Sequence, residues 1–496
     1  MKRTLSFLTL AGLTCLRPAT AETLHWGGGT SGTSTFLSTA SNWLENTAPT
    51  TTSDLIISGN NGTDLIPTLI FGADIAIRSL SADNANGEFG ANGLRIGPTT
   101  SSSSTTARIV TFGTAGIPII SATNNAALTI WRFTATASQT LNLGYTGLGD
   151  IYTDASSSVT IGTANITGTG GINKTGAGLL TLGSTNAFTG GLTISAGVLS
   201  TDSSLNLGAK SAADAVVING GTLRFTNSTG ITNTNTRGFQ VGSSTGTIEV
   251  QNGAVRFGTT NTFGNVSGQD GILRKTGTGI LSFENGTNTT HTGGTLLEAG
   301  SLVLALNSTL GGNTSVAGLT AASGTTFRGS GTVNGNSSFA NGAVIDIATM
   351  GGSVTVSNAI GTLSFNGNLA LGDVSLLFDL GAPGTSDLIS LTSGHVLTIG
   401  NGTFDLTNFT FTASGGLTDG TYTLISSNQT IVGSFGGTVT GTLNGADVTL
   451  VMGNGGTTID LLVTGSAIPE PSSVALLAGA FVLAGASLRR SPHVRR

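Results

Sequence analysis

Side chains capable of chemistry are thinly spread along this chain. The acids of its central part stand singly, as at Asp150, Asp154, Asp202, Asp214, Asp270 and Glu284. Cleaving a glycosidic bond needs two carboxylates that converge across it. The nearest approach to such a pair is Asp150 and Asp154 in GDIYTD. No base accompanies them, so a solvated turn is the competing reading. His25, His291, His395 and His493 lie far apart and without the spacing of metal ligands. His291, inside a Thr/Asn-rich stretch, reads as a surface-loop residue. No Walker A or calcium β-roll pattern occurs. The sequence therefore assigns no catalytic residue, no metal and no cofactor.

The elements that would position these residues are legible in composition and alternation. Of 496 residues, 77 are Gly and only 9 are Pro, and charged residues make up 9%. Low charge together with a mean hydropathy of +0.25 argues against disorder. Short alternating runs recur, as in VVINGGTLRF, TIEVQNGAVRF, LLEAGSLVLAL and LTIGNGTFDL. Within GTLRF, Leu223 and Phe225 point one way and Thr222 and Arg224 the other. Gly220, Gly253, Gly300 and Gly402 fall where the chain must turn. Two all-β architectures fit: stacked antiparallel β-sandwiches built from Asn-Gly hairpins, or a right-handed parallel β-helix, a solenoid whose corners carry these glycines.

A long repeat favours the solenoid, because a unit that cannot bury its own face needs like neighbours. GGINKTGAGLLTLGSTNAFTGGLTISAGVL, 170–199, returns as DGILRKTGTGILSFENGTNTTHTGGTLLEAGSL, 270–302. These stretches resemble the autotransporter-associated β-strand repeat of bacterial passenger domains. The resemblance implies core-facing Leu180, Leu182, Ile194 and Leu199. It also implies tight corners at Gly176, Gly178, Gly190 and Gly191, and at Gly277, Gly279, Gly293 and Gly294. Lys174 and Lys275 are the one recurrent charge. They could meet a ligand at the surface, or serve a corner by bonding local carbonyls or shielding a strand edge. Trp26 and Trp43 resemble the opening of such passengers. The stretches 361–394 and 420–435, with Leu376, Phe378 and Leu380 alternating and Asp387, Tyr422 and Phe435 near turns, resemble their closing, capping rungs.

The ends read as address labels. Lys2 and Arg3, the apolar Leu5–Leu16 and the small Ala19 and Ala21 form a secretory signal cleaved after 21, which removes the sole cysteine, Cys15. At the other end Pro469, Glu470 and Pro471, an uncharged stretch 471–488 of membrane-spanning length, and Arg489 and Arg490 resemble a PEP-CTERM sorting tail. That resemblance implies an exosortase-type processing enzyme as partner, after the export machinery, with transient inner-membrane anchoring by a C-terminal helix. Self-transporting passengers instead end in a membrane β-barrel, and only 31 residues follow Gly465. The whole chain is −5 and each labelled end is +3, which leaves −11 for 22–468 and argues against nucleic acid as a partner. The expected organisation is a signal at 1–21, a β-rich segment at 22–165, a solenoid at 166–345 with repeats near 168–200 and 268–304, a β-rich cap at 346–466 and the tail at 467–496. The expected function is a non-catalytic structural or adhesive protein of the cell surface or extracellular matrix, contacting polysaccharide or neighbouring cell-surface components. The alternative is a carbohydrate-active β-helix enzyme, a lyase or hydrolase.

Overall fold

The structure is a computed structural model. It describes residues 21–27, 36–58, 69–87, 89, 93–97, 107–113, 118–131, 139–209, 215–227, 231–233, 237–258, 261–284, 286–312, 317–348, 359–400, 402–413 and 417–465. These are β-strands joined by turns, with short 3₁₀ segments and no α-helix among the described residues. The chain forms two compact units, 1–227 with 235–249, and 228–234 with 250–496.

In the first unit successive strands fall on three sheets in rotation. Ser53–Ile57, Ser79–Asp83, Pro118–Thr123, Leu148–Thr153 and Gly171–Thr175 lie side by side on one face. Ala127–Ile130, Ser158–Ile161, Leu179–Leu182 and Val198–Thr201 form a second. Ile75–Ile77, Arg108–Phe112, Gln139–Leu143 and Asn165–Gly168 form a third. Neighbours on all three faces pair in parallel, so the chain is a parallel β-helix and not a row of sandwiches. Register explains why apolar residues alternate: Leu128, Val159, Leu180, Leu199 and Leu223 stack directly on one another, all buried. A slip of one residue would turn the whole column outward. Gly220, at φ +97°, makes the corner expected of it.

The second unit repeats the plan. Val255, Leu281, Leu302, Phe327, Ile345, Leu376 and Phe409 form a long buried column. Its last part departs from it. Gly420–Ser426 pairs in parallel with Leu388–Leu391 on one side and antiparallel with Thr458–Thr464 on the other. Ala446–Gly453 and Thr440–Leu443 extend that meander. Hairpins thus occur where the solenoid stops. Asp387 follows the turn at 383–384, near which the sequence places it, and Tyr422 lies in the strand Gly420–Ser426; both are fully buried. Tyr422 is an inward residue of a long strand, and Asp387 clasps two backbone segments. Phe435 bridges to Phe404 in parallel and stacks on it.

Where the chain opens, Trp26 and Trp43 meet edge to face at 5.4 Å across an antiparallel bridge, as the sequence pairs them. Ala21 is exposed and directly precedes the strand Glu22–His25. Ala19, Pro469, Glu470, Pro471, the 471–488 stretch, Arg489 and Arg490 lie outside the described residues. Among the described residues no helix is long and apolar enough to cross a membrane.

Candidate functional site

The two recurrent lysines point into the protein. Lys174 occupies the inward column between Ile151 and Ile194, and Lys275 lies beside the inward Leu297. Both are fully buried. The Lys174 ammonium donates to the carbonyl oxygens of Thr175 (2.7 Å), Gly176 (2.8 Å) and Ala196 (3.4 Å). The Lys275 ammonium does the same to Thr276 (2.8 Å), Gly277 (2.9 Å) and Ala299 (3.1 Å). An ammonium has three donors, and each finds one acceptor, two on its own rung and one on the next. Burial pushes the Lys174 ammonium down to about 8. The carbonyl reading of these lysines therefore holds, and surface ligand contact is excluded by their burial.

The neighbouring glycines explain how carbonyls come to face inward there. Gly176 has φ +71°, a backbone conformation that side chains resist. Gly178 has ordinary φ, but a Cβ on it would land on the carbonyl oxygens of Asp154 and Ser157 in the rung below. Both lie in the bend 176–178 between two strands: the first turns the chain and rests against the Thr153 carbonyl, and the second lets the rung below approach. Gly277 and Gly279 divide the task in the same way. So do the TGG pairs, where Gly191 and Gly294 take positive φ while Gly190 and Gly293 press on the backbone near Gly171 and Gly271.

Other polar groups are drawn inside. His291 is fully buried, a correction to its surface-loop reading. It precedes Thr-Gly-Gly just as Phe188 does in the first copy, and both fill the interior beneath that corner. That alignment is the signal that could have found it. Its ring stands edge-on to Phe263 at 5.8 Å, Nε2 hydrogen-bonds Thr295 Oγ1 at 2.8 Å, and burial lowers its pKa to about 4. Asp387 accepts from the backbone N–H of Gly361 (2.7 Å) and of Asp379 (2.6 Å), and burial raises it to about 7. A carboxyl near neutrality would suit a general acid. With both oxygens held by backbone and no solvent access, this one is a clasp. Arg237, also fully buried, donates to the carbonyls of Ser204 (2.7 Å), Gly208 (2.5 Å) and Ala209 (2.9 Å).

The outer faces are polar and bonded from rung to rung. On the outer face Thr392 donates to Asn366 Oδ1 at 2.9 Å, and Asn366 donates at 3.2 Å to Oδ1 of the buried Asn334, which itself donates to the Gly311 carbonyl at 2.8 Å. Arg224 pairs with Glu249 (2.8 Å), Arg274 with Glu298 (2.6 Å), Arg328 with Asp346 (2.6 Å), and Arg78 with Asp54. Asp150 and Asp154 do not converge. Asp150 accepts from Asn173 Nδ2 on the next rung (2.9 Å). Asp154 closes a turn. Slight burial opposes its charge, but hydrogen bonds from Ser157, the Asn124 N–H and Ser156 prevail and hold it below the usual carboxylate range. Among the described residues no His, Cys, Asp or Glu are grouped to hold a metal ion.

Comparison with known proteins agrees with the repeat reading. Residues 172–200 and 273–304 match the passenger-associated-transport-repeat family, over the same two stretches in which the sequence repeats itself. The chain is also similar to the adhesin BmaC autotransporter of Brucella suis biovar 1 (strain 1330). The identity is 33% over 308 residues, which is 59% of this chain and 8% of that protein. The chain thus spans a small part of the length of this relative.

Proposed function

We propose that this chain is an exported, non-catalytic β-solenoid of the cell surface or extracellular matrix. It holds polysaccharide or neighbouring cell-surface components through many weak contacts. The observation that carries this reading is the disposition of its polar groups. Lys174, Lys275, His291, Asp387 and Arg237 are committed to holding rungs together, while rows of Asn, Thr and Ser face outward. Similarity to an adhesin supports the same reading. Attachment of the full chain to a panel of polysaccharides and to cells tests it. The expected result is binding without turnover. Release of reducing ends or unsaturated sugars from any polymer would replace it with the lyase or hydrolase reading.

Delivery is the second part of the proposal. The export machinery moves the chain out, the apolar stretch holds it briefly in the inner membrane, and an exosortase-type enzyme reads Pro469, Glu470 and Pro471. Replacing all three with Ala is expected to leave the protein uncleaved in the membrane fraction. Unchanged processing would remove this part.

A further inference from the structure

Arg256 departs from the pattern kept by the other described arginines. Arg78, Arg224, Arg274 and Arg328 meet a carboxylate of an adjacent rung. Arg95 lies over the Trp131 ring, and Arg108 and Arg237 donate to backbone carbonyls. Arg256 has no hydrogen bond, ion pair or ring contact among the described residues. Its register partner in the next rung is Ser282, where Arg328 has Asp346. Arg256 acts from a distance on Glu284, whose carboxyl burial raises despite that opposing charge.

This cation lines an open hollow of about 440 Å³ together with Asn252, Ala254, Thr278 and Ile280. The volume falls in the usual range for small-ligand sites, roughly 300–1,000 Å³. Asn252 is exposed and offers both donor and acceptor. Thr278 Oγ1 spends its proton on the Gln251 carbonyl at 2.7 Å, so its lone pairs remain to accept. Ala254 and the half-buried Ile280 supply a small apolar wall.

A planar guanidinium in such a place matches a carboxylate, which it can hold with two parallel hydrogen bonds. The hydroxyl acceptors and the apolar wall match a sugar ring. A chain whose net charge is −5 repels a long polyanion. We propose that the hollow binds one hexuronate residue within a largely neutral polysaccharide. Its carboxylate sits on Arg256, its hydroxyls on Asn252 and Thr278, and its C–H face against Ile280. This subsite rests on the adhesive reading and names the unit recognised.

Calorimetric titration of the full chain with a galacturonate-containing trisaccharide tests it, with the all-galactose trisaccharide, a galactose sulfate and an Asp-containing peptide beside it. The uronate sugar is expected to bind, R256Q to weaken it at least about tenfold as a lost charge-assisted pair would, and R256K to restore part. In the unmutated protein the uronate sugar is expected to slow amide exchange at Thr278–Ile280. Equal uronate binding by the unmutated protein and R256Q, absent protection at those amides, or tighter binding of the sulfate or peptide overturns the proposal. A chain that attaches to neutral polysaccharide yet ignores the uronate loses this subsite and keeps the adhesive reading. A chain that attaches to nothing on the panel and to no cell loses both.

Discussion

A lysine in an apolar column needs a reason, and the reason at Lys174 is the corner above it. Three carbonyls turn inward there because glycine lets the chain bend sharply, and the ammonium satisfies all three. Replacing Lys174 with Met keeps the length and apolar stem but strands those oxygens. Loss of several charge-assisted bonds should lower stability by about 2–4 kcal/mol, read as a shift in the denaturant midpoint. A substitution without effect would mean that water serves the corner equally well. His291 makes the opposite case, since Phe188 fills its place in the first copy. Its folded pKa of about 4 lies below the ordinary 6.5, so the unfolded chain binds the extra proton between those values. The stability His291 contributes is present above pH 6.5 and is lost as pH falls towards 4, by up to about 3 kcal/mol. His291→Phe should therefore match the parent near pH 7.5 and exceed it at pH 4.5. Parallel stability curves for the two proteins over that range would refute the burial argument.

Strands and corners are the scale at which the sequence speaks most clearly. Alternation marks the inward faces, and the glycines of the repeat mark the bends. Gly176 and Gly178 look alike on paper but do different things, and substitution should separate them from an ordinary glycine. Gly178→Ala would drive a methyl into the Asp154 and Ser157 carbonyls, both backbone atoms that cannot swing away. It should cost upwards of about 2 kcal/mol or prevent folding. Gly113 has ordinary φ and open space where a methyl would go, so it should accept Ala with a gain of up to about 1 kcal/mol. Equal melting temperatures for the two variants would show that rungs are not in contact through Gly178. Strand direction, by contrast, is not written in any single run, because alternation is the same in parallel and antiparallel sheets. Only the two like copies argue for stacking. The inward positions of Asp387 and Tyr422 are equally hidden, since each depends on register against a rung roughly 20 to 40 residues away, whereas His291 is legible through its alignment with Phe188. Arg237 is hidden for a related reason: the carbonyls it serves, at Ser204 and Gly208, belong to an earlier turn.

For the molecule taken whole, repetition turns weak chemistry into useful chemistry. Adjacent rungs lie about 4.8 Å apart, so outward Asn, Thr and Ser recur at a spacing set by the backbone itself. If the outer faces hold polysaccharide as proposed, each contact exchanges a bond to water for a bond to sugar and is worth little, on the order of 1 kcal/mol. Holding therefore depends on how many contacts form on one polymer at once. Single-chain binding to a short oligosaccharide should be weak. On a surface coated with the long polymer, apparent affinity should rise with coating density by about 10²–10⁴. Because charged residues are only 9% of the chain and the outward strand arginines other than Arg256 are mostly paired, that rise should survive high salt, where an attachment driven by charge would collapse. Surface plasmon resonance over a series of coating densities, at low and at high salt, measures both. An affinity that stays constant with density would point to one tight pocket instead, and an attachment abolished by salt would point to charge. Either outcome would move the weight of adhesion from the repeated faces to a single site.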